Sequence, residues 1–334
     1  MIRCRAFFAG ARRLALCPIV AVGCGGTLDA GVDVPHGLLP VDERNPVILN
    51  NDGPSDNWQG EYAVLLASAQ RLALAAIVIN TGGSWSNLDS NMAGWNHLVA
   101  AARASGMRNV PDPLASVGPS LTRPDNGDID ATTPNRSIGA QFIVDASLRL
   151  AKTYRPLVVA TGGRLTDVAD AYLLDHTLPD RVVVVSSLGT VSRDGARMGN
   201  PNGEMDPWAD TIVVNRFRYV QVSAYYDQTA DVPADQVAAL PSNPFGAWMT
   251  DKRPSILNLN VAADQVSIAA VAIPGFVLDV ARLEQSGTEP TSSGDRPILG
   301  PAPNGKAWLV TQSDGSMMGA TLWDLLRDPA VFGR

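Results

Sequence analysis

Short unbroken apolar runs alternate along this chain with stretches whose apolar residues recur at helical spacing. Val47, Ile48 and Leu49 form the first run, and similar runs cover 74–79, 157–160 and 182–186. A strand buried on both faces reads as such a run, because neither face meets water. Helical patterns fall between them, over 61–72, 91–105, 137–153 and 166–175, and Gly106 stops the second in the manner of a C-cap. This rhythm predicts an α/β fold with parallel strands joined by right-handed helical crossovers. Residues 216–223, RFRYVQVS, alternate and predict another strand. The apolar stretch 266–273 predicts a buried helix, and 321–327 a closing helix. Residues 284–304 read as a loop. Residues 110–134, rich in Pro, Gly, Asp and Thr, read as a lid or mobile loop. Residues 225–251 give no assignable pattern, and the chain shows no internal repeat.

The polar positions matter most where the strands end. Residues 46–57, PVILNNDGPSDN, deliver Asn50, Asn51, Asp52, Asp56 and Asn57 into a tight turn containing Gly53 and Pro54. Ligands of open α/β sheets bind just beyond the carboxyl ends of strands, and oxygen-rich side chains there suit a hard cation or sugar hydroxyls. An Asx-rich turn that caps the next helix would use the same residues. The second strand ends similarly, in Asn80, Thr81, Gly82, Gly83 and Ser84.

Four segments carry a resemblance to a known family. The first turn resembles the N-terminal aspartate motif of nucleoside hydrolases, an apolar strand followed by D-x-D-P-G-x-D-D. At that spacing this chain has Asn50, Asp52, Asp56 and Asn57, so two carboxylates are kept and two are amides. Residues 157–174, LVVATGGRLTDVADAYLL, resemble the family's strand, Thr-Gly-Gly turn and helix. In residues 202–209, NGEMDPWA, Asn202 precedes an Asp-Pro pair by four residues. Residues 264–274, DQVSIAAVAIP, resemble the late His-Asp-Pro segment, with Asp264 at the aspartate, Ala263 in place of the histidine and Gln265 in place of the proline. These matches keep the family order over roughly residues 46–280. They imply a nucleoside hydrolase-like, Rossmann-like fold, with a mostly parallel central sheet flanked by helices.

The resemblance also implies a site. Calcium would be held by Asp52, Asn57, the carbonyl of Thr161 and Asp264, more weakly than in the family because Asn57 replaces a carboxylate, with Asn50 or the nearby acid Glu61 available to make up for that loss. Asp52 would be the general base that activates a calcium-bound water for hydrolysis of an N-glycosidic bond. Asn50, Asp56, Ser84, Asn200 and Asn202 would bind the nucleoside or related riboside. Residues 110–134 would correspond to the segment that closes over substrate. The implied activity is that of an N-glycosyl hydrolase. The alternative is a non-catalytic nucleoside- or sugar-binding envelope lipoprotein that uses the same pocket.

Composition narrows the setting. The 334 residues are 46% hydrophobic and 18% charged, as in an ordinary globular protein. The first 23 residues hold Arg3, Arg5, Arg12 and Arg13 and no acid, so the remainder has 22 basic against 33 acidic side chains. That balance disfavours nucleic acid as a partner. A basic start, the short apolar stretch 14–22 and the sequence Ala21-Val22-Gly23-Cys24 resemble a lipoprotein signal over 1–24. The expectation is an exported chain, bound to the envelope through a lipid on Cys24 or secreted, with a linker over 25–45 and one domain over 46–334. Contact with a membrane would come only through that anchor, and a homo-oligomer is compatible with the family. All three cysteines lie within 1–24, so no thiol chemistry is expected in the body. There is no nucleophile elbow, zinc spacing or phosphate-binding glycine fingerprint. His97 and His176 read as packed or surface histidines, Trp58, Trp85, Trp95 and Trp208 as core or rim, and Asp125, Asp128 and Asp130 as a solvated acidic loop.

Overall fold

A computed structural model describes residues 35, 37–54, 58–83, 85–116, 118–187, 201–222, 234–257 and 264–334. The signal segment read over 1–24 therefore lies outside the described residues. So do His36, Asp56, Asn57, Ser84, Asn200 and Ala263. Contacts along the chain separate residues 1–35 from residues 36–334, and the following concerns the second unit.

Its strands are β1 (Pro46–Asn51), β2 (Ala73–Ile79), β3 (Pro113–Ala115), β4 (Leu157–Thr161), β5 (Val182–Ser186), β6 (Arg218–Val222), β7 (Val277–Thr291), β8 (Gly294–Pro301) and β9 (Ala307–Ser313). They form one sheet in the order β3-β2-β1-β4-β5-β6-β9-β7-β8. Every neighbouring pair from β3 to β9 is parallel, whereas β7 pairs antiparallel with both β9 and β8. Described helices are α1 (Gln59–Ser68), α2 (Leu88–Ala104), α3 (Ile138–Leu150), α4 (Thr166–Leu174), α5 (Pro201–Met205), α6 (Pro207–Arg216), α7 (Pro244–Leu257), α8 (Gln265–Ala272) and α9 (Gly315–Arg327).

β1 lies inside the sheet, and its side chains alternate between two cores. Val47 and Leu49 join a cluster with Leu65, Trp95, Ile268 and Leu322 from α1, α2, α8 and α9. Ile48 joins the opposite cluster with Ile143, Val168 and Ile212 from α3, α4 and α6. The same alternation carries Asn50 onto the second face and Asn51 onto the first. Two consecutive amides at one strand end thus meet different helices.

Three expectations change. Residues 284–304 are not a loop: β7 and β8 pair as a hairpin closed at Thr291 and Gly294. Pro290 and Pro297 hid it, yet both are tolerated, since β8 is an edge and β7 bonds β9 only over Val277–Leu283. The segment read as a lid contains β3 and is stitched down beyond it. Ser120 Oγ donates to the Met205 carbonyl at 2.7 Å, Leu121 N–H to Asp206 at 3.1 Å, Trp208 Nε1 to Thr132 at 2.9 Å and the Tyr172 hydroxyl to Asp130 at 2.5 Å. Finally, packing begins before residue 46. Leu39 and Val41 are buried in the core, and Asn45 donates its amide to the Pro156 carbonyl at 2.7 Å.

Candidate active site

The carboxyl ends of β1, β2, β4 and β5 bring Asn50, Asn51, Asp52, Asn80, Thr161 and Ser187 to one edge of the sheet. Asp264 enters from the N-cap of α8, and Asn202 from α5. Segments separated by as many as two hundred residues meet here because parallel strands end together.

Asp52 is buried, with its backbone carbonyl accepting from Trp95 Nε1 at 2.9 Å and its Oδ1 from Gly53 N–H at 2.7 Å. Those contacts turn Oδ2 toward Gly82. A side chain at Gly82 would collide with both Asp52 Oδ2 and Asn202 Oδ1, so glycine is what allows the two to meet. Asn202 ties the turns after β2 and β4 together, its Oδ1 accepting from Gly83 N–H at 2.5 Å and its Nδ2 donating to the Gly162 carbonyl at 2.9 Å. The Trp85 ring covers Gly53 from outside, since a Cβ there would lie in its face.

A second notch opens over Gly162. Its missing Cβ would sit 2.5 Å from Asn51 Oδ1 and 2.6 Å from Asp264 Oδ2. Ser187 Oγ lies 2.7 Å from Asp264 Oδ1 and 3.2 Å from the Thr161 carbonyl, which also accepts Ser187 N–H at 3.1 Å. A hydroxyl has one proton, and the carboxylate at the shorter distance takes it. Carboxylate, amide, hydroxyl and carbonyl oxygens therefore stand close together here. The side-chain oxygens Asn51 Oδ1 and Thr161 Oγ1 are buried and lack a hydrogen-bond partner. Such a donor set fits a hard cation. Among the described residues, no group of three His, Cys, Asp or Glu is placed to hold a metal.

Asn50, expected at the substrate, is engaged inside the fold. Its Nδ2 donates to Asp167 Oδ2 at 3.1 Å and to the Val78 carbonyl at 3.4 Å, and its Oδ1 accepts from Asn80 Nδ2 at 3.3 Å. Asp167 is completed by Ser116 Oγ at 2.5 Å and Ser137 Oγ at 3.0 Å. This knot explains the amide at position 50, because a carboxylate there would face Asp167. Glu61 is also held elsewhere: it is buried and accepts from Trp248 Nε1 at 2.6 Å. Asn51 and Asn80 were read from the sequence only as members of the polar turns that end β1 and β2, with no role of their own, and Ser187 was not singled out. For Asn80 a signal existed, a polar residue ending an apolar run before Gly-Gly. For the other two the partners are too distant in sequence to be read.

Asp206 caps α6 immediately after Asn202's helix, accepting from Thr166 Oγ1 at 2.6 Å and Ala209 N–H at 3.1 Å. Burial pushes its pKa up against those bonds and the nearby charge of Arg164. Asp210 is pushed up further, to about 8, by burial and by Asp206, with Arg296 opposing. His97 contacts the Trp248 ring edge-on and His176 stacks on Tyr172, as packed or surface residues do. On the outer side of the turn, Pro54, Trp85, His97, Trp248 and Lys252 line a cavity of about 360 Å³.

Comparison with known proteins places this architecture. No protein-family model matches the chain, and no curated protein matches it. Solved structures do match over most of its length. An inosine-guanosine nucleoside hydrolase superposes with a TM-score of 0.59 at 16% identity, over 85% of this chain and 99% of that one. A purine-preferring ribonucleoside hydrolase from Gardnerella vaginalis gives 0.57 at 17% identity, over 86% and 98%. A nucleoside hydrolase-related protein from Saccharophagus degradans, associated with carbohydrate metabolism, gives 0.55 at 14% identity, over 86% and 72%. The chain therefore has the nucleoside hydrolase fold, with its mostly parallel central sheet flanked by helices.

Proposed function

We propose that this chain hydrolyses the N-glycosidic bond of nucleosides or related ribosides with the help of calcium. The observation that carries the reading is the convergence of Asp52 Oδ2 and Asn202 Oδ1 at the Gly82 notch, next to the Asn51 and Asp264 oxygens at Gly162, on the ligand-binding edge of a nucleoside hydrolase fold. Asp52 is the general base: its Oδ1 accepts from Gly53 N–H and its Oδ2, turned toward Gly82, takes a proton from the attacking water. Asn202, clamped between the turns, orients ribose hydroxyls, and Asp56, Ser84 and Asn200 complete the sugar contacts. Calcium would be held by Asp52, Asn57, the Thr161 carbonyl and Asp264, and when bound it supplies Lewis acidity that eases loss of the water's proton. The test is free-sugar release from a panel of ribo- and deoxyribonucleosides, beside Asp52→Ala. Release that survives the substitution contradicts the assignment of the base.

A second reading keeps the pocket without chemistry, as a receptor for a nucleoside or sugar. It is favoured by the scarcity of acidic residues at the described metal site. Saturable calcium-dependent uptake with no product would establish it. For location, we propose lipidation at Cys24. Cys24→Ser is expected to move the protein from the membrane fraction to the soluble one, and an unchanged distribution contradicts the anchor.

A further inference from the structure

Arg164 belongs to the Thr161-Gly162-Gly163-Arg164 turn that leaves β4 at the carboxyl edge of the sheet. It is half-buried, and its side chain reaches across to the turn that leaves β2. Nε donates to the Thr81 carbonyl at 3.1 Å, and Nη2 donates to Thr81 Oγ1. Its own carbonyl accepts from Asn80 Nδ2 at 3.1 Å. These are the two turns that Asn202 joins through Gly83 and Gly162. Arg164 and Asn202 therefore span the same gap, and the guanidinium is anchored one residue from Gly82, where Asp52 and Asn202 converge.

Anchoring accounts for only part of this side chain. A guanidinium carries five N–H groups in a planar fork, and the bonds to Thr81 engage only Nε and Nη2. Among the described residues, no carboxylate oxygen lies within 4 Å of its nitrogens. Arg44, Arg181 and Arg296, by contrast, each hold a carboxylate at 2.5–2.6 Å. The acid that feels the charge of Arg164 is Asp206, four residues beyond Asn202. That carboxyl is already committed to Thr166 Oγ1 and to the N–H groups of Leu121 and Ala209, and burial favours its neutral form. A cross-link between turns needs no charge, as the Asn202 amide shows. A permanent cation fixed in place, partly withdrawn from water and without a counter-ion is matched by an anion brought from outside.

We propose that Arg164 is a specificity-determining residue that selects ribosides carrying a phosphate group, held by the N–H groups that Thr81 leaves over. The inference rests on the hydrolase reading above and names its substrate class. Phosphate presents several oxygens to the guanidinium fork, and the ribose hydroxyls assigned to Asn202 are where it would be esterified.

The test is the calorimetric affinity of the full chain, with calcium, for one purine nucleoside and for its 2′-, 3′- and 5′-monophosphates, with sugar release followed in parallel. Wild type is expected to bind at least one monophosphate roughly tenfold or more tightly than the nucleoside, and that preference should shrink as salt is raised. The favoured position of the phosphate identifies the hydroxyl beside Arg164. Arg164→Gln removes the charge and keeps a donor, and is expected to abolish the preference, whereas Arg164→Lys should keep part of it. A purely structural Arg164 gives a different pattern, in which Arg164→Gln weakens nucleoside and monophosphate by the same factor. Equal affinity of wild type for all four compounds overturns the proposal without any variant. If the nucleoside is cleaved with no preference for phosphate, the hydrolase reading stands alone. If a monophosphate is preferred through Arg164 but neither compound yields sugar, phosphate recognition stands and the hydrolase reading fails.

Discussion

Asn50 and Asn51 are neighbours at the end of one strand, yet they end in opposite situations. On one face, every polar atom of Asn50 is satisfied by Asp167, Val78 and Asn80, and Asp167 is in turn satisfied by two serines. On the other face, Asn51 Oδ1 is buried without a hydrogen-bond partner and packs against Gly162, where Asp264 also approaches. A closed network holds structure, whereas a leftover acceptor in a buried notch marks a place for something the chain does not itself provide. The contrast ties Asn50 into the scaffold and leaves the Asn51 oxygen at the strand end where the candidate site residues gather.

The largest effect expected is on chemistry. Asp52→Ala should lower sugar release by about 10²- to 10⁴-fold with Tm nearly unchanged, because a general base is lost and the β1 contacts remain. Activity within a few-fold of wild type would remove Asp52 from the site. On the closed face, Asn50→Asp would set two carboxylates against each other. It should destabilise the fold by about 3–5 kcal/mol in urea melts. Exchanging the partners, Asn50→Asp with Asp167→Asn, should restore most of that loss, and a double variant no better than the single would break the knot. On the open face, Gly162→Ala should cost about 1–3 kcal/mol, because Asn51 and Asp264 must give way, and should weaken calcium binding as well.

The smallest effect is a pH dependence outside both faces. The folded pKa of Asp210, about 8, lies above its unfolded value, so between roughly pH 4 and 8 the folded state binds the extra proton. The stability linked to that proton is fully present at acid pH and is lost as pH rises through 8. Asp210→Asn should flatten this fall, most visibly in melts at pH 5 and pH 8.5. Parallel stability curves for the two proteins would show that Asp210 titrates normally.

Much of the fold was legible because the inner strands are buried on both sides. The runs at 47–49, 157–160 and 182–186 needed no partner to be read, and the observed strands match them to within a residue or two. The β7–β8 hairpin escaped because only one of its faces is covered and its prolines sit at tolerated edge positions. The stitched segment 120–132 escaped for another reason. Its order comes from side chains on α4 and α6, and no local periodicity records them. At the candidate site, spacing singled out Asp52 and Asp264, which the structure brings to the same edge of the sheet. The part played by Ser187 was not legible, since a hydroxyl acquires meaning only from what stands opposite, and here that is Asp264, more than seventy residues further along.

The central claim is a hydrolytic site at the ends of β1 and β4, and the most direct measurement is free-sugar release from nucleosides by the full chain with calcium and with chelator. The account predicts release that requires calcium and falls with Asp52→Ala. Calcium-dependent binding of the same nucleosides with no sugar released would contradict it and leave a receptor built on a hydrolase fold.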